Sequence, residues 1–338
     1  MLHLFQSIFG ISETEAAAYP ESIVEMAIER AAEGTDSRLT ALPGYHKKLR
    51  PAVLKAIDHV IAVVDGLPAS VELSRESYSS DPRLSAFFAS VDHMRQVIRG
   101  DVALSDCLAE ATGSGAYQIE AVLVTHRMER KVLGMELEGE AVRREVAQVA
   151  VNFTHHRLVD PTTSREETDK LLRRRVFDNL LEIALARISS AREERAGLER
   201  QRVLLQRKQE ALASSGWGFE PQATAATGDV DALESQIEEI EQQLNGLGVD
   251  SSILGAHFDI LADVLEHAKE QVWYTPVSLV LDRMGIKRDA ATPNSIQLEL
   301  QELRSVSDVS VIPLRVTIPR REFPERGDFL AEAQRLLG

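Results

Sequence analysis

Apolar residues recur along this chain with several periods, and each period predicts a different element. Helical spacing dominates the first hundred residues. Ile23, Ala27 and Ile28 share one face, and Leu49, Val53, Ile57, Val60, Ile61, Val64 and Leu67 form a longer stripe beyond a turn at Pro43-Gly44. Side chains three or four positions apart lie on one flank of a helix, so the two stripes predict an antiparallel helical pair. Ser12 followed by Glu15 has the capping-box spacing that opens the first helix. Leu84, Phe87, Phe88, Val91, Met94, Val97 and Ile98 predict another helix, residues 102–108 a short one, and the glycines within 111–115 a boundary.

Strict alternation then takes over. Leu133, Met135 and Leu137 alternate with Gly134, Glu136 and Glu138, and beyond a reversal at Gly139 so do Ala147, Val149, Val151 and Phe153 with polar neighbours. This is a hairpin pattern. The same alternation returns late in the chain at Val277, Leu279 and Leu281, at Ile296, Leu298 and Leu300, and at Ile312, Leu314, Val316 and Ile318. An isolated hairpin is marginal in water, so the early and late strands are expected to join one sheet. Pro313 and Pro319 lack a backbone donor, which predicts that the last strand lies at an edge or contains a break. Phe329, Leu330, Ala333, Leu336 and Leu337 predict a short terminal helix.

Between the two sets of strands the period changes again. Ser164 and Glu167 have capping-box spacing, and Phe177, Ala184, Ala191, Leu198, Leu205 and Leu212 recur every seven residues. The companion heptad positions become Arg195, Arg202 and Gln209, whose aliphatic stems can cover apolar surface while their polar ends stay wet. After a breaker-rich loop, Val230, Leu233, Ile237, Ile240, Leu244 and Leu247 alternate by three and four. A third helix follows with Leu254, Phe258, Leu261, Leu265 and Ala268 on its apolar side. Residues 187–208 are mainly basic and residues 229–241 carry acidic charge alone, a pattern that selects antiparallel pairing of the two helices.

Together these patterns predict an α+β fold: an N-terminal helical region packed on a mainly antiparallel β-sheet, with a long coiled-coil-like helical hairpin inserted between strands. The expected divisions are a helical region over 1–112, the first part of the sheet over 113–160, the hairpin and return helix over 161–271, and the rest of the sheet with the terminal helix over 272–338.

Composition narrows the function classes. The 44% hydrophobic and 27% charged fractions are those of a folded chain. A net charge of −15 repels phosphate backbones, so no specific nucleic-acid partner is expected. Cys107 is the single cysteine, which excludes an intrachain disulfide and an all-thiolate zinc site and fits a reducing compartment. The opening MLHLFQSIFGIS lacks a basic start, a long hydrophobic stretch and a cleavage site, and reads as a strand or amphipathic turn docked on the body. No run approaches the ~18 apolar residues of a spanning helix. A cytoplasmic protein is expected, with peripheral membrane contact open to it.

Candidate chemistry is sparse. Trp217 and Phe219 stand among glycines at the hairpin tip; they either fold back to cap the helices or meet a partner. Arg195 and Arg202 are the other partner-contact candidates. His155 and His156 are metal candidates, although neighbours on a regular strand face opposite ways and would need a bulge or ligands from elsewhere. Glu136 and Glu138, roughly 7 Å apart on one strand face, have a spacing suited to paired carboxylates but read first as an outward acidic face that Arg143 and Arg144 neutralise. The glycines of ATGSGAYQ lack the lysine and hydroxyl of a phosphate loop, and Ser105 near Cys107 has no base at a recognisable spacing. Arg173, Arg174 and Arg175 fan around a helix and read as a solvated face. No catalytic residue and no cofactor is predicted. The expected function is a structural, adaptor or scaffold role through protein–protein contacts of the hairpin, with another protein or a second copy as partner. The alternative is an enzyme or small-molecule sensor with a pocket between the helical region and the sheet.

Overall fold

The computed structural model describes residues 19–110, 117–138, 141–214, 223–246, 250–292 and 295–322. The Ser12–Glu15 capping box, the opening segment, the 111–115 boundary, the Trp217/Phe219 tip and the terminal helix lie outside the described residues. The fold is mixed α and β: helices and a six-stranded open sheet, antiparallel except for one two-residue strand. The described residues divide into two compact units, one lying within residues 59–176 and 269–322, the other within residues 19–58 and 177–268. The stretch expected as one N-terminal helical region is therefore shared between both units.

In the first unit, β1 (Val71–Glu72) is followed by four short helices, α3 (Arg75–Ser80), α4 (Pro82–Phe87), α5 (Val91–Gly100) and α6 (Val102–Glu110). The helix expected across 84–98 is thus two helices. Asp81 caps α4 through Arg83 N ahead of the stripe, and Ser90 caps α5 through a bond from His93 N, so Ser90 supplies the second helix start that breaks the stripe. The strands are β2 (Gln118–Glu138), β3 (Ala141–Thr162), β4 (Val272–Leu281), β5 (Ile296–Ser305) and β6 (Ser310–Pro319), in the order β3-β2-β6-β5-β4. β1 pairs with β6 in parallel, Val71 with Val316 and Glu72 with Thr317. β2 begins well before the alternation that predicts it, because Ile119, Ala121, Val122, Leu123 and Val124 are buried on both faces and leave no polar partner to alternate with.

One face of the sheet, with Ile119, Leu123, Phe153, Leu298, Leu314 and Val316, packs against Leu84, Phe87, Met94, Ile98 and Leu104 of the short helices. The other face gathers Val64, Val122, Val124, Val159 and Leu172. β6 is internal rather than an edge strand. It pairs with β2 from Ile312 to Pro319, but with β5 only at Val311 and Ser310, so residues 312–315 have no strand on that second side among the described residues. Leu73 N donates to Thr317 O at 2.8 Å, which fixes the direction of the backbone groups at 317, and by alternation those of 315 and 313 face the same gap. Pro313, with no N–H, falls where no donor is required.

The turn after β4 adds a link between the sheet's edges. Val151 N donates to Gly285 O and Lys287 N to Val149 O, both at 2.8 Å. Gly285 has φ +73° and an added Cβ would stand 3.0 Å from Val151 O, so glycine is required there on both counts. Asp282 anchors the turn by accepting from the Met284 and Ile286 amides and from Arg288.

The second unit is helical. It holds α1 (Glu21–Thr35), a 3-10 turn Ser37–Ala41, the first part of α2 (Tyr45–Asp65), most of α7 (Arg165–Ser214), α8 (Ala223–Gly246) and α9 (Asp250–Glu266). Short α10 (Ala268–Gln271) leads out of it to β4. α7 is the long helix inserted between β3 and β4, and its start is the expected cap: Glu167 N donates to Ser164 Oγ at 3.2 Å. Ile23, Val24, Ala27, Ile28 and Ala31 of α1 and Phe177, Leu180, Leu181, Ala184 and Ile188 of α7 are buried, and Arg30 grips Asp178 with two bonds. Gly34 lets α1 approach α7 so closely that a Cβ there would lie 3.1 Å from Leu181 Cδ1.

Candidate functional site

The inserted helices carry the surface with the clearest departure from ordinary packing. From Ser189 to Ala211, α7 buries no residue fully, while Ala191, Arg195, Leu198, Arg202, Leu205 and Gln209 are half-buried at spacings of three and four. Those are the heptad positions read from sequence, polar companions included. On α8, Leu233, Ile237, Ile240 and Leu244 are buried and their neighbours exposed. Gln209 Nε2 donates to Glu234 Oε1 at 2.9 Å, which sets the two helices side by side. Arg195 bonds Glu199 at 2.9 Å one turn along, its side chain 18% exposed. Arg202 lies in the same stripe with a buried Nε that meets no acceptor. Other basic groups leave the helix: Arg187 pairs with Asp263 of α9, and Arg192 reaches Asp36. Away from the stripe Val203 and Leu204 stand exposed among Arg200, Arg207 and Lys208, Leu204 at 65%.

The two histidine candidates are separated by the bulge that sequence reasoning identified as a requirement for bringing them together. β2 and β3 shift register between the Val124–Arg157 and His126–Thr154 pairs, and His155 takes φ 55°. His155 turns to His126, ring centroids 5.4 Å apart, and meets Thr154 Oγ1 at 3.0 Å. His156 turns the other way, stacking on Phe88 at 4.8 Å and bonding Phe87 O at 2.7 Å, with His93 edge-on. Burial holds the His156 imidazole below its ordinary pKa, and the neighbouring His93 and His155 push in the same direction, against the carbonyl of Phe87. Among the described residues no three metal-ligating side chains converge.

The other sequence candidates disperse as well. Arg173 pairs with Asp65 at 3.2 Å and Arg175 with Asp160 at 2.6 Å, so the arginine run is divided between acceptors on different segments. Glu136 stands in register with Arg143 across the hairpin, and Glu138 with Ala141. Cys107 packs half-buried against the sheet core.

Sequence reasoning missed the most concentrated polar cluster, which lies in the second unit. Asp36 caps the 3-10 turn through the Arg38 amide, and its carboxylate also accepts from Arg38 Nε at 2.9 Å, from Arg192, and from His257 Nδ1 at 2.8 Å. The side chains of Asp36 and His257 are 5% and 3% exposed. The Arg38 bonds are the main cause that drives the Asp36 carboxyl far below the usual range, over a smaller opposing effect of burial, and His257 adds to the lowering. A signal was present: His257 interrupts the apolar side of α9 between Leu254 and Phe258, and Asp36 follows a helical stripe at a capping position. The arrangement joins three segments and saturates one carboxylate. Among the described residues it holds no nucleophile against the imidazole.

A cavity of about 270 Å³ occupies the gap between β5 and β6. Gly66, Pro68, Phe87, Leu300, Pro313 and Leu314 supply its walls, with Arg83, Glu299 and Gln301 as polar groups. Arg83 is engaged by Asp81 at 2.7 Å, and Glu299 accepts from Ser278 at 2.6 Å. Among the described residues no helix is long and apolar enough to cross a membrane. No protein-family model, curated protein or solved structure matches the chain.

Proposed function

We propose that this protein is an intracellular adaptor or scaffold, and that α7 and α8 close as a coiled-coil-like hairpin whose outer face receives a partner protein. The single observation behind this reading is the exposed pair Val203 and Leu204 on a helix stretch without one fully buried residue. Isolated apolar side chains on a surface need no explanation, but two adjacent ones ringed by Arg200, Arg207 and Lys208 form an apolar strip with a basic rim. The complementary partner is a protein surface with an apolar strip and acidic rim, a combination that steers encounter through charge and holds through burial. The 3-4 seam of Leu233, Ile237, Ile240 and Leu244 supports the hairpin, as does the Gln209–Glu234 bond. The lone Cys107 supports a reducing compartment.

The test is an affinity capture from the native cell with three baits: the intact chain, a chain lacking residues 191–247, and Val203→Glu/Leu204→Glu. A partner recovered by the first and lost by both others, and reproduced with purified components, is the expected result. Equal recovery by all three rejects the hairpin as the contact surface.

A second reading, a small-molecule sensor or enzyme, draws on the cavity between β5 and β6. Its size falls just below the usual range of ligand pockets. A metabolite screen read by thermal shift distinguishes it, because a ligand of that cavity loses its effect in Leu300→Trp while the capture experiment is unchanged.

A further inference from the structure

β2 has two different edges along its length. From Gln118 to Thr125 it lies between β3 and β6; from His126 to Glu138 the ladder with β3 continues and, among the described residues, no strand covers the other side. That free edge is roughly 40 Å long at the usual rise per residue. The opposite edge of the ribbon is held at its base by the link from β3 to Gly285 and Lys287. Two-stranded ribbons are marginal in water, and this one exposes Leu133 at 74% and Met135 at 64%. Gln148 folds over Gly134 to bond Met135 O at 3.2 Å, filling the space that a Cβ on Gly134 would take.

Open strand edges are normally blunted by charge. Here the charges have a distinctive order. The near half carries exposed Arg130 and Lys131, and the sequence of the far half is acidic at 136 and 138. Arg127 at the base is already committed to Glu129 and Glu302. A parallel copy laid on this edge in register meets like charges. An antiparallel copy of the same edge meets opposite ones: with a two-fold axis at Leu133, Arg130 of one copy stands at the register position opposite 136 of the other, while uncharged Met128 stands opposite 138. Directly opposed residues share a face, so the register also sets Leu133 against its own counterpart.

We propose that the free edge of β2, residues 126–138, pairs antiparallel with the same edge of a second copy of this chain, continuing the sheet through a two-fold axis near Leu133. The ladder that β6 provides over 118–125 is then prolonged by the second copy, and Leu133 leaves water.

The test uses the full chain with light scattering and native mass spectrometry at micromolar concentration. A dimer is expected, and Leu133→Asp is expected to raise its dissociation constant by about tenfold or more. Arg130→Glu/Lys131→Glu alone and Glu136→Lys/Glu138→Lys alone are each expected to be monomeric, whereas mixing the two gives a dimer containing one of each. Circular dichroism confirms that each variant is folded; should one not be, Leu133→Cys in a Cys107→Ser background decides, because an axis at Leu133 predicts oxidative cross-linking of two copies. A monomeric intact chain, folded charge variants that stay dimeric alone or stay monomeric when mixed, or a Leu133→Cys chain that does not cross-link would each overturn the proposal.

Discussion

A buried cation in the first unit and a buried anion in the second are served differently. In the first, the cation Arg315 on β6 is 4% exposed and meets Asp169 of α7 and Val64 O at 2.8 Å, with its Nε left without an acceptor. In the second, the anion Asp36 is surrounded by two arginines, a histidine and a backbone amide. A guanidinium offers five fixed donors that a packed sheet can scarcely satisfy, whereas a carboxylate is saturated by a few donors on long side chains. Arg38 and Arg192 keep their outer ends wet, 62% and 42% exposed, so the buried anion costs little desolvation of its partners. The cation in the sheet has no such relief.

Four measurements bear on this difference between the buried cation and the buried anion. Arg315→Met is expected to cost about 3–5 kcal/mol, because it leaves Asp169 in a largely buried site with only the 3.9 Å pair to exposed Arg165; adding Asp169→Leu should restore most of the loss. Urea denaturation of the single and double variants checks this, and a double variant no better than the single would show that the pair stabilises beyond its own desolvation. Asp36→Ala is expected to cost about 2–3 kcal/mol from the lost cap and charged bonds, less than Arg315→Met because both arginines reach solvent. Hydrogen exchange should accelerate in residues 253–266 and not in 118–125.

The pH dependence separates the units further. His59 and His156 are held neutral, mainly by burial, so their folded pKa values lie below the unfolded one. Their contribution is complete above about pH 6.5 and is lost as pH falls through the folded values. Asp36, whose folded value is also depressed, keeps its contribution until pH drops below about 3.9 and loses it beyond. Exchange rates followed from pH 7.5 to 3 should therefore rise around residues 153–158 before they rise around 253–258. The smallest effect belongs to Tyr274, whose hydroxyl donates to Val63 O at 3.0 Å. Burial pushes its pKa up to about 12, against the nearby Arg315. An ultraviolet titration of the intact chain should show a late-ionising tyrosine that Tyr274→Phe removes, at a stability cost of about 1 kcal/mol.

Much of the fold could be read from residue order because water imposes it. Leu233, Ile237, Ile240 and Leu244 are buried at the expected spacing, and the 147–153 alternation is a strand because one side faces the core. The start of β2 was hidden for the converse reason: buried on both faces, it loses its alternation. The break in the 84–98 helix turned on Ser90, whose side chain competes for a backbone amide, a local effect that an apolar stripe conceals. Pro313 signalled an interruption correctly in kind, but the gap is on one side of an internal strand, which requires knowing both neighbours. Arg195 and Arg202 were legible as seam positions. Asp36 and His257 were not, because residues 221 positions apart share no period and meet only through tertiary packing.

The bonds at Gly285 and Lys287 fasten the first edge of the sheet to the last, and they join segments contributed before and after the whole inserted helical stretch. Closing so large a loop forfeits chain entropy before any reward is gained, so this clasp is placed late in the order of assembly. Until it shuts, the nascent sheet presents raw margins to every neighbouring chain during synthesis. The glycine turn thus acts as a time limit on vulnerability: the faster it closes, the shorter the interval in which misassociation competes with folding.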